Sequence, residues 1–180
     1  MPRKPKVQLE LVPPPPVPTD FYTVGLDLSL TGTGLVVIDK DGDINVQRTL
    51  GYGLTVESTE REHLERYMYI ATEIVDAMKA LPERPRVVIE HYAFGRNYSS
   101  SVTALAELRG VVKSQIWLVF QLVPVIITVG EARKVVLGKG NIAKAAVLTV
   151  LRGRGLTVGD HNIADAYVIA ECLRRRSVAS

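Results

Sequence analysis

Three carboxylates occupy positions at which the neighbouring residues predict a buried side chain. Asp27 lies within an apolar run typical of a strand, Glu90 closes a second such run, and Asp165 interrupts an apolar stretch near the C-terminus. Burying an isolated carboxylate is costly unless it is paired, hydrogen-bonded or bound to a metal. Carboxylates that share a site repel one another, and a divalent cation with oxygen ligands, such as Mg²⁺, relieves that repulsion. The residues therefore predict a metal site, against the alternative that each acid is structural.

The residues that directly precede Asp165 offer three candidates for a fourth group in this site. His161 is four positions before Asp165 and Asn162 is three positions before it, so on a helix both share its face. Asp160 follows Gly159 and is typical of a helix N-cap. We expect His161 to be the fourth residue, as a metal ligand or proton carrier. Asp160 and Asn162 stay open as alternatives.

Basic residues concentrate in the last third of the chain, where residues 130–180 contain nine Lys or Arg against four Asp or Glu. We expect an anionic partner to bind there. Lys139 lies in a glycine-flanked loop, and Lys144 lies near the predicted start of a helix; both features suit phosphate contact. Arg133 is the third member of this predicted phosphate-binding set.

The loop after Glu90 contains the aromatic residues Phe94 and Tyr98, with Arg96 between them. Exposed aromatic rings next to a phosphate-binding site stack on nucleic-acid bases. The alternative is that these rings anchor their own loop.

The order of strand and helix signals predicts an α/β domain. Runs of β-branched and apolar residues predict three consecutive strands within residues 22–50, and Thr59 with Glu62 has the pattern of a capping box that begins a helix. This helix is predicted to bury a face formed by Leu64, Met68, Ala71, Val75 and Met78. Further strands are predicted at 87–90 and 123–129, and further helices at 102–120, 130–138, 141–152 and 161–175. The pattern indicates a mixed five-stranded sheet with helices on both faces.

Length and composition limit the organisation of the chain. The 180 residues suffice for one domain with a sizeable core, which we place at residues 21–180. Residues 1–20 contain seven of the ten prolines and predict a disordered leader. The single cysteine, Cys172, excludes an intramolecular disulfide and a cysteine-based zinc site. No apolar run is long enough to span a membrane, and we expect a cytoplasmic protein.

Four segments, in this order, resemble the RuvC-like Holliday-junction resolvases of the RNase H-like nuclease superfamily. The segments are VGLDLSLTGTG at 24–34, VVIE at 87–90 followed by Phe94 and LAELRG at 105–110, RKVVLGKGNIAK at 133–144, and NIADAYVIA at 162–170. They correspond to the first catalytic strand, the second carboxylate with its junction-facing loop and helix, the basic segment, and the final helix. The family has an acid or a histidine where Asn162 stands here, so the fourth residue stays open, and such departures suit a phage-encoded member.

The resemblance implies a magnesium-dependent endonuclease, with Mn²⁺ as a substitute, that acts as a homodimer on four-way DNA junctions. Two metals in each active site are expected on Asp27, Glu90, Asp165 and His161, and the DNA contacts on the loop after Glu90 and on the basic set. Each subunit is expected to nick one of two like-polarity strands and leave a 5′-phosphate. The implied setting is the cytoplasm of a bacterium or a phage-infected host. Branch-migration proteins as partners cannot be identified from the sequence.

Three other functions remain open. One is an RNase H-like nuclease that acts on other branched DNA or on an RNA–DNA hybrid. Another is a junction-binding module without catalysis, in which the carboxylates are structural. The last is a sugar-kinase or actin-like ATPase, whose phosphate-binding hairpin resembles Asp27 with residues 31–34, although such proteins need two domains of this type.

The helix predicted at 102–120 has more apolar positions than we expect its own core to need. These positions are Val102, Leu105, Leu108, Val112, Ile116 and Val119, and we therefore predict that part of this helix forms a two-fold dimer face.

Overall fold

The structure, a computed structural model, describes residues 18–53, 58–91 and 100–179. Within these ranges the strands are β1 (Thr23–Asp27), β2 (Thr33–Ile38), β3 (Ile44–Leu50), β4 (Arg86–Glu90) and β5 (Val125–Ile127). The helices are α1 (Glu60–Lys79), α2 (Ser100–Phe120), α3 (Val129–Leu137), α4 (Lys144–Gly153) and α5 (His161–Val178). None of the helices in the described ranges is long and apolar enough to span a membrane.

The five strands form one mixed sheet in the order β3-β2-β1-β4-β5. The first three strands form an antiparallel meander, whereas β4 pairs in parallel with both β1 and β5. This arrangement confirms the predicted mixed five-stranded sheet. It also places β1 at the centre, with β4 beside it and running in the same direction.

Helices cover both faces of the sheet, and strand alternation assigns each residue of β1 to one of them. Val24 and Leu26 join the core under α1 and α2, together with alternate residues of β2 and β4. The opposite core contains the buried residues of α3, α4 and α5. Gly25 lies on the α5 side, because an added Cβ would meet Ala166 of that helix. Asp27, two residues later, therefore faces α5 as well.

Two glycines allow α5 to lie directly against the sheet. A Cβ added to Gly25 would lie 2.2 Å from the carbonyl oxygen of Ala166, and one added to Gly34 would lie 2.1 Å from that of Asn162. Cβ atoms in proteins do not approach this closely, so only glycine permits the contact. The close packing brings the N-terminal half of α5 next to the end of β1.

The buried face of α1 differs from the predicted one. The capping box at Thr59 and Glu62 is present. Ala71, Val75 and Met78 are buried as predicted, whereas Leu64 and Met68 are 57% and 44% exposed, and further core contacts come from Tyr67, Ile70 and Ile74. The buried face of α1 thus keeps three of the five predicted residues, with Tyr67 and Ile70 in place of Leu64 and Met68.

Four of the six apolar positions on which the dimer face of α2 is predicted serve the core of the same chain. Leu105, Leu108, Val112 and Ile116 are buried in the core between α2, α1 and the sheet of the same chain. Val119 is 43% exposed. The excess of apolar positions on α2 is smaller than predicted, because α2 contacts both α1 and the sheet of its own domain and needs a wide buried face. The dimer itself stays a prediction.

Several element boundaries differ from the predicted ones. Strand β5 is shorter than predicted, because Thr128 caps α3 and accepts a hydrogen bond from the backbone of Glu131. Helix α4 begins at Lys144, three residues after the predicted start, and α5 continues to Val178. The later start of α4 places Lys144 in its first turn.

Most of the predicted disordered leader, residues 1–17, lies outside the described residues, but its last three residues are described. Thr19 donates a backbone hydrogen bond to the carbonyl of Lys40 and accepts one at Oγ1 from the buried guanidinium of Arg174. Arg174 also donates to the carbonyls of Asp39 and Lys40. The buried arginine thus ties residues 18–20 to the turn after β2.

Candidate active site

Asp27 and Glu90 end neighbouring parallel strands. The register pairs Leu26 with Ile89, so the next residue of each strand lies beside the other. Alternation then places both carboxyl groups on the face that α5 covers, where Asp165 lies in the second turn of the helix. The structure brings the three predicted acids together: all of them line one cleft of about 470 Å³.

The walls of this cleft come from three other parts of the chain. The turn after β1 contributes residues 28–31, α2 contributes Ser101, Leu105 and Arg109, and the far wall contains Val129, Arg133 and Lys144. The turn is braced by its own hydroxyl groups, since Thr33 Oγ1 accepts from the Ser29 amide and donates to the Ser29 carbonyl. The buried side chain of Arg66 on α1 also donates to the carbonyl of Leu30.

Two basic side chains contact the carboxylates directly. Arg133 Nη2 donates to Asp165 Oδ1 at 2.8 Å, and Arg133 Nη1 donates to the carbonyl of Ile142. Lys144 Nζ lies 3.2 Å from Asp165 Oδ2 and 3.6 Å from Asp27 Oδ2. Burial opposes the charged form of Lys144, but the charges of Asp27 and Asp165 outweigh it and raise its pKa. Both bases were predicted to contact phosphate, and here they neutralise the acids.

The carboxyl group of Glu90 has a strongly displaced pKa. Burial, a hydrogen bond with the carboxyl group of Asp27, and the charges of Asp27 and Asp165 raise the pKa of Glu90 from 4.5 to about 8. A carboxyl group at this position therefore carries a proton at neutral pH when no cation is bound. It becomes a good oxygen ligand only after that proton leaves.

The donor set fits a hard divalent cation. Oxygen atoms of three carboxyl groups face the cleft, and Asp27 Oδ2 is buried without a hydrogen-bond partner. Carboxylate oxygens are the protein ligands that Mg²⁺ and Mn²⁺ prefer. In the described part of the chain, however, no three acidic, histidine or cysteine side chains form a closed ligand set. Lys144 lies among these oxygens, and its ammonium group neutralises part of the negative charge that a metal would otherwise neutralise.

The three residues before Asp165 have different positions. Asp160 is the N-cap of α5, and its carboxylate accepts hydrogen bonds from the backbone amides of Asn162 and Ile163. Asn162 Oδ1 lies 3.4 Å from Lys144 Nζ. His161 is exposed and does not line the cleft. The structure therefore does not bring His161 to the carboxylates.

The predicted DNA-binding residues divide into three groups. Arg133 and Lys144 line the cleft, whereas Lys139 is exposed on the loop after α3 and does not. Phe94, Arg96 and Tyr98 lie outside the described residues.

One cleft residue, Arg109, was missed by the sequence interpretation. Arg109 lies in the segment LAELRG at 105–110, which carries part of the family resemblance. A single arginine in an amphipathic helix, however, cannot be distinguished by sequence from a solvated surface charge.

Comparisons with known proteins agree with this fold. A family model described as "Crossover junction endodeoxyribonuclease RuvC" matches residues 23–173. The Thermus thermophilus RuvC structure is similar at a TM-score of 0.68 and 18% identity, over 88% of this chain and 97% of that one. T. thermophilus RuvC in complex with a Holliday junction substrate is similar at a TM-score of 0.69 and 19% identity, over 88% and 96% of the two chains.

No curated protein matches the chain. The likeness to the two solved structures shows that the fold is the expected RNase H-like fold. The family model extends from β1 to α5, and it includes all three carboxylates of the cleft. The family model matches more than half of the chain, and the chain belongs to the RuvC family of crossover junction endodeoxyribonucleases.

Proposed function

We propose that this protein is a magnesium-dependent endonuclease that resolves four-way DNA junctions. The observation that carries the proposal is the convergence of Asp27, Glu90 and Asp165 on one cleft, in a chain of the RuvC family. Catalytic sites are where burial and like charges shift pKa values strongly, and Glu90 fits this pattern.

The acids and bases of the cleft have separate tasks in this proposal. Asp27, Asp165 and deprotonated Glu90 hold the divalent cation, which supplies an activated water and Lewis-acid stabilisation of the leaving oxygen. Arg133 orients Asp165, because it bridges that carboxylate and the carbonyl of Ile142. Lys144, with half of its side chain exposed, is available to the phosphate as well as to the acids.

The products and the assembly follow from the geometry of a four-way junction. Resolution requires two nicks on strands of like polarity, and each nick in this proposal leaves a 5′-phosphate that a ligase can seal. Two symmetric active sites in a homodimer supply the paired nicks. Trp117, Leu118 and Val119 are consecutive exposed side chains on α2, and they provide apolar surface for contact between the two subunits. Sedimentation equilibrium at micromolar protein should give about twice the chain mass of 19.8 kDa.

The decisive experiment compares labelled substrates that differ in structure. A four-way junction, a Y-fork, a linear duplex and an RNA–DNA hybrid are incubated with the protein in Mg²⁺ or in EDTA. We expect symmetric nicks in the four-way junction, religation of the products by a ligase, and no cleavage in EDTA. Preferred cleavage of the hybrid or the Y-fork would assign a different nuclease substrate. Tight junction binding without any cleavage in Mg²⁺ would assign a binding module.

A further inference from the structure

Arg109 is a basic residue of the cleft that the proposed chemistry does not use. Ser101, Leu105 and Arg109 follow one another at intervals of four residues on α2, so they form one stripe along the wall of the cleft. The side chain of Arg109 is partly buried. It makes no hydrogen bond and no ion pair with another residue in the ranges 18–53, 58–91 and 100–179.

The stretch directly before α2 does not supply a missing counter-charge. Residues 92–99 contain no Asp or Glu. The other two bases of the cleft are engaged: Arg133 pairs with Asp165, and Lys144 contacts both Asp165 and Asp27. Arg109 therefore differs from them, because its positive charge is not balanced by a carboxylate among the described residues that line the cleft.

A partly buried guanidinium without a partner suits an external anion. It is charged at every accessible pH and presents five donors that match the oxygens of a phosphate. A DNA strand that enters the cleft brings negative phosphates close to three acidic side chains, which repel them. A cation on the α2 wall offsets this repulsion, and partial exclusion of water strengthens its attraction for the phosphate.

We infer that Arg109 binds a phosphodiester next to the one that is cut, and so holds the DNA strand against α2. The inference rests on the proposed nuclease function. The cut phosphate must lie at the carboxylates, where Arg133 and Lys144 are found. Arg109 contacts none of these acids, so its phosphate is a neighbouring one in the same strand. Its contact is made equally in the bound substrate and in the transition state.

The test measures junction binding in EDTA, over a series of salt concentrations, for the full chain and three variants. Arg109→Gln removes the charge, and Arg109→Lys keeps it. Lys113→Gln removes a charge from an exposed position one turn further along α2, outside the cleft. We expect Arg109→Gln to weaken binding about tenfold and to lower the slope of log K against log salt by about one, the value for one lost phosphate contact. Arg109→Lys should retain most of the slope.

Steady-state cleavage of the same junction in Mg²⁺ provides the second measurement. We expect Arg109→Gln to raise KM with kcat changed by less than about threefold, the sign of lost uniform binding. Equal salt slopes for Arg109→Gln and Lys113→Gln would overturn the phosphate contact. A fall in kcat at constant KM would overturn its assignment to a neighbouring phosphate. If the parent chain neither binds nor cleaves any DNA, the proposed function itself fails, which is a different result.

Discussion

The ammonium nitrogen of Lys144 lies 3.2 Å from Oδ2 of Asp165. This contact joins the first turn of α4 to α5, and the same nitrogen also approaches Asp27 at 3.6 Å. This ammonium group and a divalent metal bound at the same carboxylates would neutralise the same negative charge. The cleft therefore has an internal cation that must compete with metal for these oxygens.

This competition predicts the metal affinity of Lys144→Met. Removing the ammonium group leaves Asp27 and Asp165 with more uncompensated negative charge, so the affinity for Mn²⁺ should rise about tenfold, equivalent to about 1.4 kcal/mol. Cleavage should nevertheless slow, because the phosphate loses a cation. Isothermal titration calorimetry with Mn²⁺ measures the affinity. Lys139→Met, which removes an exposed charge outside the cleft, is the matched control. Identical Mn²⁺ affinities in the two variants would contradict the competition.

The raised pKa of Glu90 predicts how stability depends on pH in the absence of metal. Between pH 4.5 and about 8, Glu90 is protonated in the folded chain and ionised in the unfolded one. The folded state then binds more protons than the unfolded state, so the free energy of unfolding falls as pH rises through this window. The stabilisation that the Glu90 proton provides is fully present only below pH 4.5. Urea unfolding in EDTA from pH 5 to pH 9 should show this decline, and Glu90→Gln should lack that part of it. Parallel curves for parent and variant would contradict the pKa shift.

Metal binding should show the reverse dependence on pH. The cation needs the ionised form of Glu90, so binding below pH 8 releases a proton and the apparent affinity rises toward that pH. The pH dependence of stability and that of metal affinity both arise from the carboxyl group of Glu90, so the Glu90→Gln protein is the control for both measurements.

The start of α5 gives a prediction that reverses an expectation from the sequence. Because His161 is exposed and outside the cleft, His161→Ala should keep cleavage near the parent rate and change the free energy of unfolding by less than about 0.5 kcal/mol. Asp160→Ala removes the N-cap and should cost about 1 kcal/mol. Urea unfolding and single-turnover cleavage measure the two effects. A hundredfold slower cleavage in His161→Ala would return His161 to the site.

Tight packing of α5 on the sheet predicts opposite effects for two glycine substitutions. Gly25→Ala forces a Cβ against the backbone of Ala166 and should destabilise the fold by about 1–3 kcal/mol. Gly110, within α2, has open space around an added Cβ, so Gly110→Ala should stabilise the helix by up to about 1 kcal/mol. Chemical denaturation of both variants checks the signs. A stability loss of the same size in both would show that the close contact at Gly25 is not the cause.

The three acids of the site could be predicted from the sequence for a physical reason. Asp27 lies within an apolar run and Glu90 ends one, and in the structure both residues end neighbouring parallel strands, which meet at the same edge of the sheet. Asp165 is marked by its position in an apolar helix. These signals are local patterns of burial, and the fold only had to bring them together.

The surroundings of the acids could not be predicted in the same way. The contacts of Arg133 and Lys144 with Asp165 depend on how α3 and α4 pack beside α5, and the sequence spacing does not define that packing. Similarly, the apolar stripe of α2 has the same pattern whether it contacts a second subunit or, as observed, α1 and the sheet. His161 and Asn162 were separated only by the exact start of α5.

Cleavage of a four-way junction by Asp27→Asn tests the central claim most directly. The substitution keeps the shape of a side chain whose Oδ2 atom is buried without a hydrogen bond, but removes the charge that holds a cation. With Mg²⁺ present, the variant should bind the junction as the parent does and make no nicks above background. Parent-level nicking by a folded Asp27→Asn protein would contradict the assignment of this cleft as the metal-dependent nuclease site.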